Sequence, residues 1–371
     1  MYDTIIIGSG LAGLTAAIEL ARNNHNIIVF EKQQYPHHKV CGEYVSNEII
    51  PYLKSLGINL DAAVKIDALQ FSTQKGNSIK TKLPLGGIGI SRYYFDELLY
   101  KRALELNVTF VFETVISVDF LNDYFQIETD SGKIYKAQTA IGSYGKRSNL
   151  DRQLERNFIT QKSSWMAIKS HYSYDSLPEN LVGLHNFTGG YGGLSKTETG
   201  AVNFCYLVNY KSFKDFKDIN NFNQFIVSKN PILKDFLVKA TPLFEQPLSI
   251  AQISFKKKKA VEKHVLMCGD TAGLIHPLCG NGMAMAIHSA KIASELLRAY
   301  FNSDERDREK LEFNYRNEWK KNFAYRLWIG RRLQWILLHE TLANTLIRLV
   351  AISPPLLRLL IKQTHGKPIN K

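Results

Sequence analysis

The sequence predicts an α/β protein made of a discontinuous Rossmann-like domain, an antiparallel-sheet domain and a carboxy-terminal helical segment. Three observations carry this prediction. A strand, a glycine turn, a helix and a second strand open the chain within about 30 residues. Short alternating segments with glycine turns replace that pattern from Ile66. A buried strand, a glycine-rich loop and a helix then return at His264.

Thr4-Ile5-Ile6-Ile7 is a β-branched run closed by Gly8, Leu11 to Arg22 has helical apolar spacing, and Ile27-Ile28-Val29-Phe30 is a second fully apolar run. Strands apolar on both faces belong in a covered parallel sheet. From Ile66 to Ile90 the pieces alternate, as half-buried antiparallel strands do. Ser91 to Leu106 predicts a helix, and Val108 to Tyr135 predicts strands broken at Asp130-Ser131-Gly132. Ser163 to Leu207 returns to antiparallel pattern with turns at Gly189-Gly190 and Gly192-Gly193, and Lys211 to Leu237 is mostly helical. His264 to Cys268 predicts a buried strand, and Ala284 to Tyr300 a helix. The first domain is therefore assigned to residues 1–65, 91–160 and 256–300, the second to 66–90 and 161–255, and the helical segment to 301–371. In that last segment Leu327 to Leu360 mixes apolar residues with arginines, and Pro354-Pro355 is expected to split it into two helices. Such a segment suits either a lid over the second domain or a peripheral contact with a membrane interface.

A chain of 371 residues, 45% hydrophobic and 22% charged, excludes disordered and collagenous classes. Its formal charge of +13 fits an anionic membrane, a nucleic acid, an acidic cofactor or merely solubility, and by itself decides nothing. A nucleic-acid binder would interleave aromatics with a basic patch, and Lys256 to Lys259 has only Phe255 beside it, so that run reads as a solvated loop. Cys41, Cys205, Cys268 and Cys279 form no CxxC pair and are read as reduced thiols of a cytoplasmic protein. Met1-Tyr2-Asp3 enters the first strand directly, without the basic start of a signal peptide. The uncharged stretch Thr271 to Ala290 carries three glycines, Pro277 and two histidines, which suit a loop entering a helix better than a membrane span. Neither paired Cys/His spacing nor HExxH is present, so no metal is expected.

Gly8-Ser9-Gly10-Leu11-Ala12-Gly13 is a GxGxxG between a strand and a helix. Gly8 permits the tight turn, Gly10 lets a pyrophosphate approach the backbone, and Gly13 lets helix and strand pack closely. The helix start presents free N–H groups to the phosphates. Glu31, at the end of the second strand, is positioned to accept hydrogen bonds from an adenosine ribose. Downstream, Gly269-Asp270 follows a strand, and Pro277 leads into Gly280-Asn281-Gly282 at the next helix start. Asp270 suits a polyhydroxyl such as ribitol, and amides at that helix start would stabilise negative charge on a reduced flavin. These features distinguish FAD from NAD as the dinucleotide.

With these motifs the sequence resembles the FAD-dependent oxidoreductase superfamily of para-hydroxybenzoate hydroxylase-like monooxygenases and geranylgeranyl reductases. Gly269-Asp270 with Pro277 and Gly280-x-Gly282 looks like its second FAD motif. Ser91-Arg92-Tyr93-Tyr94-Phe95-Asp96 is similar to its Arg-x-x-x-Asp-x-x-Leu helix start, which implies that Arg92 lies by the FAD. The resemblance runs from Met1 to about Tyr300. Two departures stand out: Tyr144 occupies the place where the family's central motif has Asp, and Thr188 to Gly193 echoes the substrate-site Pro-x-x-Tyr-x-Trp of the reductases without its Trp. Lys39-Val40-Cys41-Gly42 looks like the Lys-x-Cys-Gly of those reductases.

The resemblance implies a single-component enzyme in which NAD(P)H reduces FAD. Hydroxylation of a lipophilic or aromatic, polyketide-like substrate ranks first because the reductase Trp is missing. Reduction of prenyl C=C bonds is the alternative, supported by Cys41. Halogenation ranks low because Trp165-Met166-Ala167-Ile168 supplies only the first Trp of the halogenase motif, and a flavin-containing nucleic-acid binder ranks below these. Cys41 is read as a reactive thiol or a small buried apolar group. His276 is read as a flavin contact, a proton relay or a loop cap, and Tyr191 as a substrate hydrogen-bonding group or a surface aromatic. His288 is assigned to packing.

Overall fold

The computed structural model describes residues 1–216, 218–352, 361–363 and 366–369. Pro354 and Pro355, the expected helix break, lie outside the described residues.

The first sheet is built on β1 (Tyr2–Ile7), which pairs in parallel with β2 (Ile27–Phe30) on one side and β9 (Ile134–Gly142) on the other. β6 (Thr109–Val111) extends it past β2, and β17 (Val265–Met267) with β16 (Val261–Glu262) extends it past β9. The hairpin β7 (Val115–Leu121) and β8 (Tyr124–Thr129) joins at β9. The helices α1 (Leu11–Ala21), α3 (Arg92–Glu105) and α8 (Gly282–Phe301) cover this sheet, because β1 and β2 are apolar on both faces.

The second sheet runs β14 (Thr241–Pro242), β10 (Trp165–Ser173), β13 (Val202–Asn209), β12 (Gly190–Lys196), β11 (Leu181–Phe187), β4 (Val64–Ser72), β5 (Ser78–Gly89) and β3 (Tyr44–Ser46). β15 (Leu248–Ile253) also pairs with β10. β3, from within residues 1–65, is thus a strand of the second sheet, joined through Tyr44↔Gly89.

The pleat divides this sheet into two chemically different faces. Met166, Ile168 and Tyr172 of β10 with Phe204, Tyr206 and Val208 of β13 form the outer core, under α7 (Pro231–Lys239) and α6 (Ile219–Phe225), with α5 (Tyr210–Phe213) beside it. Ala167, Lys169 and His171, with Asn203 and Leu207, point the other way, toward the first domain.

α2 (Ile50–Ser55) follows β3, α4 (Leu150–Gln153) packs on β7, and after α8 the chain enters α9 (Arg308–Leu338) and α10 (Glu340–Ile352). The carboxy-terminal segment therefore breaks first at His339, ahead of the prolines. His339 has φ −96° and ψ 108°, an extended residue that no helix can include. No helix among the described residues is long and apolar enough to cross a membrane.

Candidate flavin and substrate site

The two glycine motifs, far apart in sequence, meet at one end of the first sheet. A Cβ on Gly8 (φ +90°) would lie 2.6 Å from the Tyr144 backbone, and one on Gly13 would lie 2.0 Å from the Gly8 carbonyl oxygen. These two glycines are fixed by the fold. At Gly10 the same atom would meet only the Arg92 guanidinium, at 3.6 Å, and Gly10 starts α1 with no side-chain cap. That leaves an open cradle of unused helix N–H groups, which fits a pyrophosphate. The second motif closes on the first: a Cβ on Gly269 would touch Ala12 of α1 and Ala286 of α8, both at 3.3 Å. Gly280, at φ +61°, turns the Pro277–Cys279 segment into α8 beside the Tyr44 ring, and half-buried Asp270 and Gly282 flank that loop. The donors and open space fit FAD. Gly8, Gly10 and Gly13 would hold its pyrophosphate, Glu31 its ribose, and Asp270, Asn281 and Gly282 its ribitol and ring.

Glu31 has a second role that the sequence does not disclose. One carboxylate oxygen accepts the Ser9 amide and hydroxyl at 3.0 and 3.1 Å, and the other accepts the Lys32 amide at 3.0 Å. The residue that would meet the ribose therefore also pins the glycine turn to the end of β2.

The segment with Tyr144 in place of Asp is the brace between the two motifs. Ser143 Oγ donates to the Ile7 carbonyl at 3.1 Å, and the Gly145 amide donates to Thr271 Oγ1 at 2.8 Å. The Tyr144 hydroxyl donates to Asp151, whose buried carboxylate also accepts from Arg156 at 2.9 Å, and Arg156 in turn donates to the Thr271 carbonyl. Lys258 corrects the reading of residues 256–259 as a solvated run. Lys256, Lys257 and Lys259 are exposed, but Lys258 is buried and donates to the carbonyls of Lys146 and Asp270 at 2.9 and 2.8 Å. Burial, aided by Arg156, pulls its pKa down to about 8.

On the substrate side, residues 39–43 are clamped onto the inner face of the second sheet. Lys169 donates to the Lys39 carbonyl, Asn203 to the Cys41 carbonyl and Ser195 to the Gly42 carbonyl. Glu43 anchors the segment: its buried carboxylate accepts from Lys169 Nζ, from His171 Nε2 at 2.7 Å and from the Arg92 amide at 2.7 Å. Burial would raise the Glu43 pKa, but His171 and Lys169 outweigh it and the net shift is downward. His38, Glu43 and His171 bring ligand-type atoms within 4.8 Å of one another. Lys169, 0% exposed, already sits on one Glu43 oxygen, so this is an ion network whose cation is an ammonium.

Arg92 lies beside this network. Asp96 accepts from it at 2.6 and 2.7 Å and binds Lys39 at 2.9 Å. Burial would lower the Arg92 pKa, but Asp96 and a hydrogen bond with Cys41 raise it overall. The half-buried Cys41 thiol thus rests against a fixed cation. Tyr191 is 3% exposed, which corrects its reading as a surface aromatic: its hydroxyl accepts the Leu278 amide at 3.4 Å, and its ring packs with Ala167, Leu207, Leu274 and Val40. His276 stacks on Phe255 with ring centres 3.7 Å apart, and burial, with Arg331 adding to it, lowers its pKa to about 3, so the ring is neutral at physiological pH. His288 packs on Phe323, as expected.

Glu43, Lys169 and His171 escaped the sequence reading of the site. The available signal was weak: Lys169 and His171 alternate with apolar residues on one strand face, and Glu43 directly follows the Lys-x-Cys-Gly segment.

A phosphate cradle on a Rossmann-like sheet, closed by a second glycine turn at the start of α8, is the frame of an FAD-dependent oxidoreductase. Comparison with known proteins agrees. The family model described as FAD binding domain matches residues 3–40. The chain is 26% identical over 339 residues to a digeranylgeranylglycerophospholipid reductase of Methanococcus aeolicus, covering 87% of this chain and 83% of that protein. It is 24% identical over 364 residues to conditioned medium factor receptor 1 of Dictyostelium discoideum, covering 88% and 68%. The solved structure of the flavin-dependent brominase Bmp2 superposes with a TM-score of 0.81 at 16% identity, covering 98% of this chain and 93% of that one, a likeness of fold. These likenesses agree with the resemblance, read from the sequence, to FAD-dependent monooxygenases and geranylgeranyl reductases.

Proposed function

We propose that the protein reduces carbon–carbon double bonds of a lipophilic, prenyl-type substrate, with NAD(P)H as the source of electrons. The observation that carries this reading is the place of Cys41: Asn203 holds its backbone on the inner face of the second sheet, and its charged neighbour Arg92 borders Gly10 of the FAD cradle. When bound and reduced, FAD supplies a hydride. Cys41, beside the Arg92 guanidinium, would give the substrate a proton from its thiol and take one back from water. Ala167, Tyr191, Leu207 and Leu274 give an apolar wall suited to a hydrocarbon chain and exclude water from the hydride. The sequence alone ranks hydroxylation first because the reductase Trp is absent. The place of Cys41 between the two sheets supports putting reduction first instead.

Hydroxylation keeps one supporting observation. The Tyr191 hydroxyl lies on the same apolar wall, where it could orient a phenolic oxygen.

The test reduces the holoenzyme anaerobically with NADPH, adds a geranylgeranyl lipid, and follows flavin reoxidation and product mass. Saturated product, lowered about a hundredfold in Cys41→Ser while flavin reduction is unchanged, supports the reading. Oxygenated product from a phenolic substrate in air, with no saturation of the prenyl lipid, sinks it.

A further inference from the structure

We infer that the outer face of α9 and α10 docks on an anionic lipid bilayer, independently of which reaction the flavin performs. The two faces of α9 differ sharply. Its inner face, with Phe323, Leu327, Gly330 and Leu337, lies over the loop that leads into α8: a Cβ on Gly330 would be 3.2 Å from Cys279 Sγ and 3.7 Å from the His276 ring. α10 continues this cover, as Ala343 and Leu346 pack with Phe71, Leu184 and Leu278 at the end of the apolar wall.

The outer face has no such partner within the described residues. Tyr325, Trp328 and Trp335 are 57%, 48% and 56% exposed, and Leu342 and Leu349 of α10 are 38% and 53% exposed. At 100° per residue, Lys320, Lys321, Tyr325, Trp328, Arg331, Arg332 and Trp335 fall within an arc of about 140°. The tryptophans lie inside it, with cations toward both edges. Tyr325 stacks on Trp328, Arg332 lies 5.5 Å over the Trp328 ring, and Trp335 meets His339. The side chains therefore form one continuous aromatic and cationic strip.

Charge chooses among occupants. On the outer strip Lys320, Arg331 and Arg332 have no carboxylate partner among the described residues, whereas Lys321 pairs with Glu318 at 3.0 Å and Arg326 turns inward to Glu48. A second copy would set arginines against arginines on a chain that already carries +13. A bilayer surface satisfies both parts of the strip: indole rings settle at the headgroup level, and anionic headgroups attract the arginines. Docked in this way, the helix separates the lipid from the His276 and Cys279 loop by its own width only, so a lipid-borne substrate reaches the apolar wall without crossing bulk water.

The experiment is co-sedimentation of the FAD-loaded protein with vesicles of phosphatidylcholine alone, or of phosphatidylcholine with phosphatidylglycerol, at low and high salt. Binding is expected on the mixed vesicles and release at high salt. Trp328→Ala/Trp335→Ala should weaken binding roughly tenfold or more. Arg331→Gln/Arg332→Gln should weaken it about fivefold per arginine. Unchanged flavin content and circular dichroism show that the variants remain folded. Three results each overturn the inference: no binding by the folded wild type, equal binding to both vesicle types, or binding that survives both double variants. A dimer in sedimentation velocity that Trp328→Ala/Trp335→Ala dissolves, without vesicle binding, also overturns it by assigning the strip to self-association.

Discussion

Replacing Glu43 by Gln removes the carboxylate that neutralises Lys169. Both side chains are 0% exposed, and among the described residues the only other acceptor for the ammonium is the Lys39 carbonyl at 3.1 Å. Asp96 is already committed to Arg92 and Lys39. Breaking one side of a buried pair costs about 3–5 kcal/mol, because the surviving charge stays buried without compensation. Glu43→Gln should therefore destabilise the protein by about that amount. Lys169→Met added to it should restore much of the loss, since both charges are then gone. The assay is urea unfolding at a fixed excess of free FAD, which keeps the ligand's own stabilisation constant across variants. A loss below about 1 kcal/mol in Glu43→Gln, or a double variant worse than the single one, would refute the network as described.

The glycines of the first motif should separate by role. Gly10→Ala, with open space at its Cβ, should keep the fold and weaken FAD in a flavin titration, whereas Gly13→Ala, whose Cβ would fall 2.0 Å from a carbonyl oxygen, should yield little folded protein. Glu31→Ala should raise the FAD dissociation constant by about 1.5–3 kcal/mol for a lost charge-assisted bond, and should also loosen the Ser9 turn it pins, read as faster local hydrogen exchange. Asp270→Ala should weaken FAD by about 0.5–1.5 kcal/mol per lost ribitol hydrogen bond, and a colourless wild type that FAD cannot reconstitute would contradict the whole site. Burial holds His185 and His276 neutral, with pKa values lowered to about 4 and about 3. Below about pH 6.5 the unfolded chain takes up protons that the folded one refuses, so stability present at neutral pH should fall as pH drops from about 6.5 toward 4. Thermal melts across that range should show it, and His185→Gln should flatten the slope.

What the sequence determines here is what is contiguous in it. Gly8 to Gly13, Gly269 to Gly282 and the helix from Arg92 each carry their geometry in a few adjacent residues: turn glycines, an N-cap, an apolar period. Their elements therefore emerge where the pattern places them, and the FAD cradle with them. Tertiary structure decides the rest. Glu43, Arg92 and the Lys169–His171 pair come from three separate stretches, and only the packing of the second sheet against the first turns them from ordinary polar residues into one buried network. Lys258 shows the same dependence, since its neighbours in sequence are solvated while it alone lies against the carbonyls of Lys146 and Asp270. Neither Tyr191, a surface aromatic by composition, nor the helix break at His339 announces itself locally. A charge or hydroxyl reveals its role only when burial removes water and leaves its partners as the sole compensation, and burial is a property of the assembled chain.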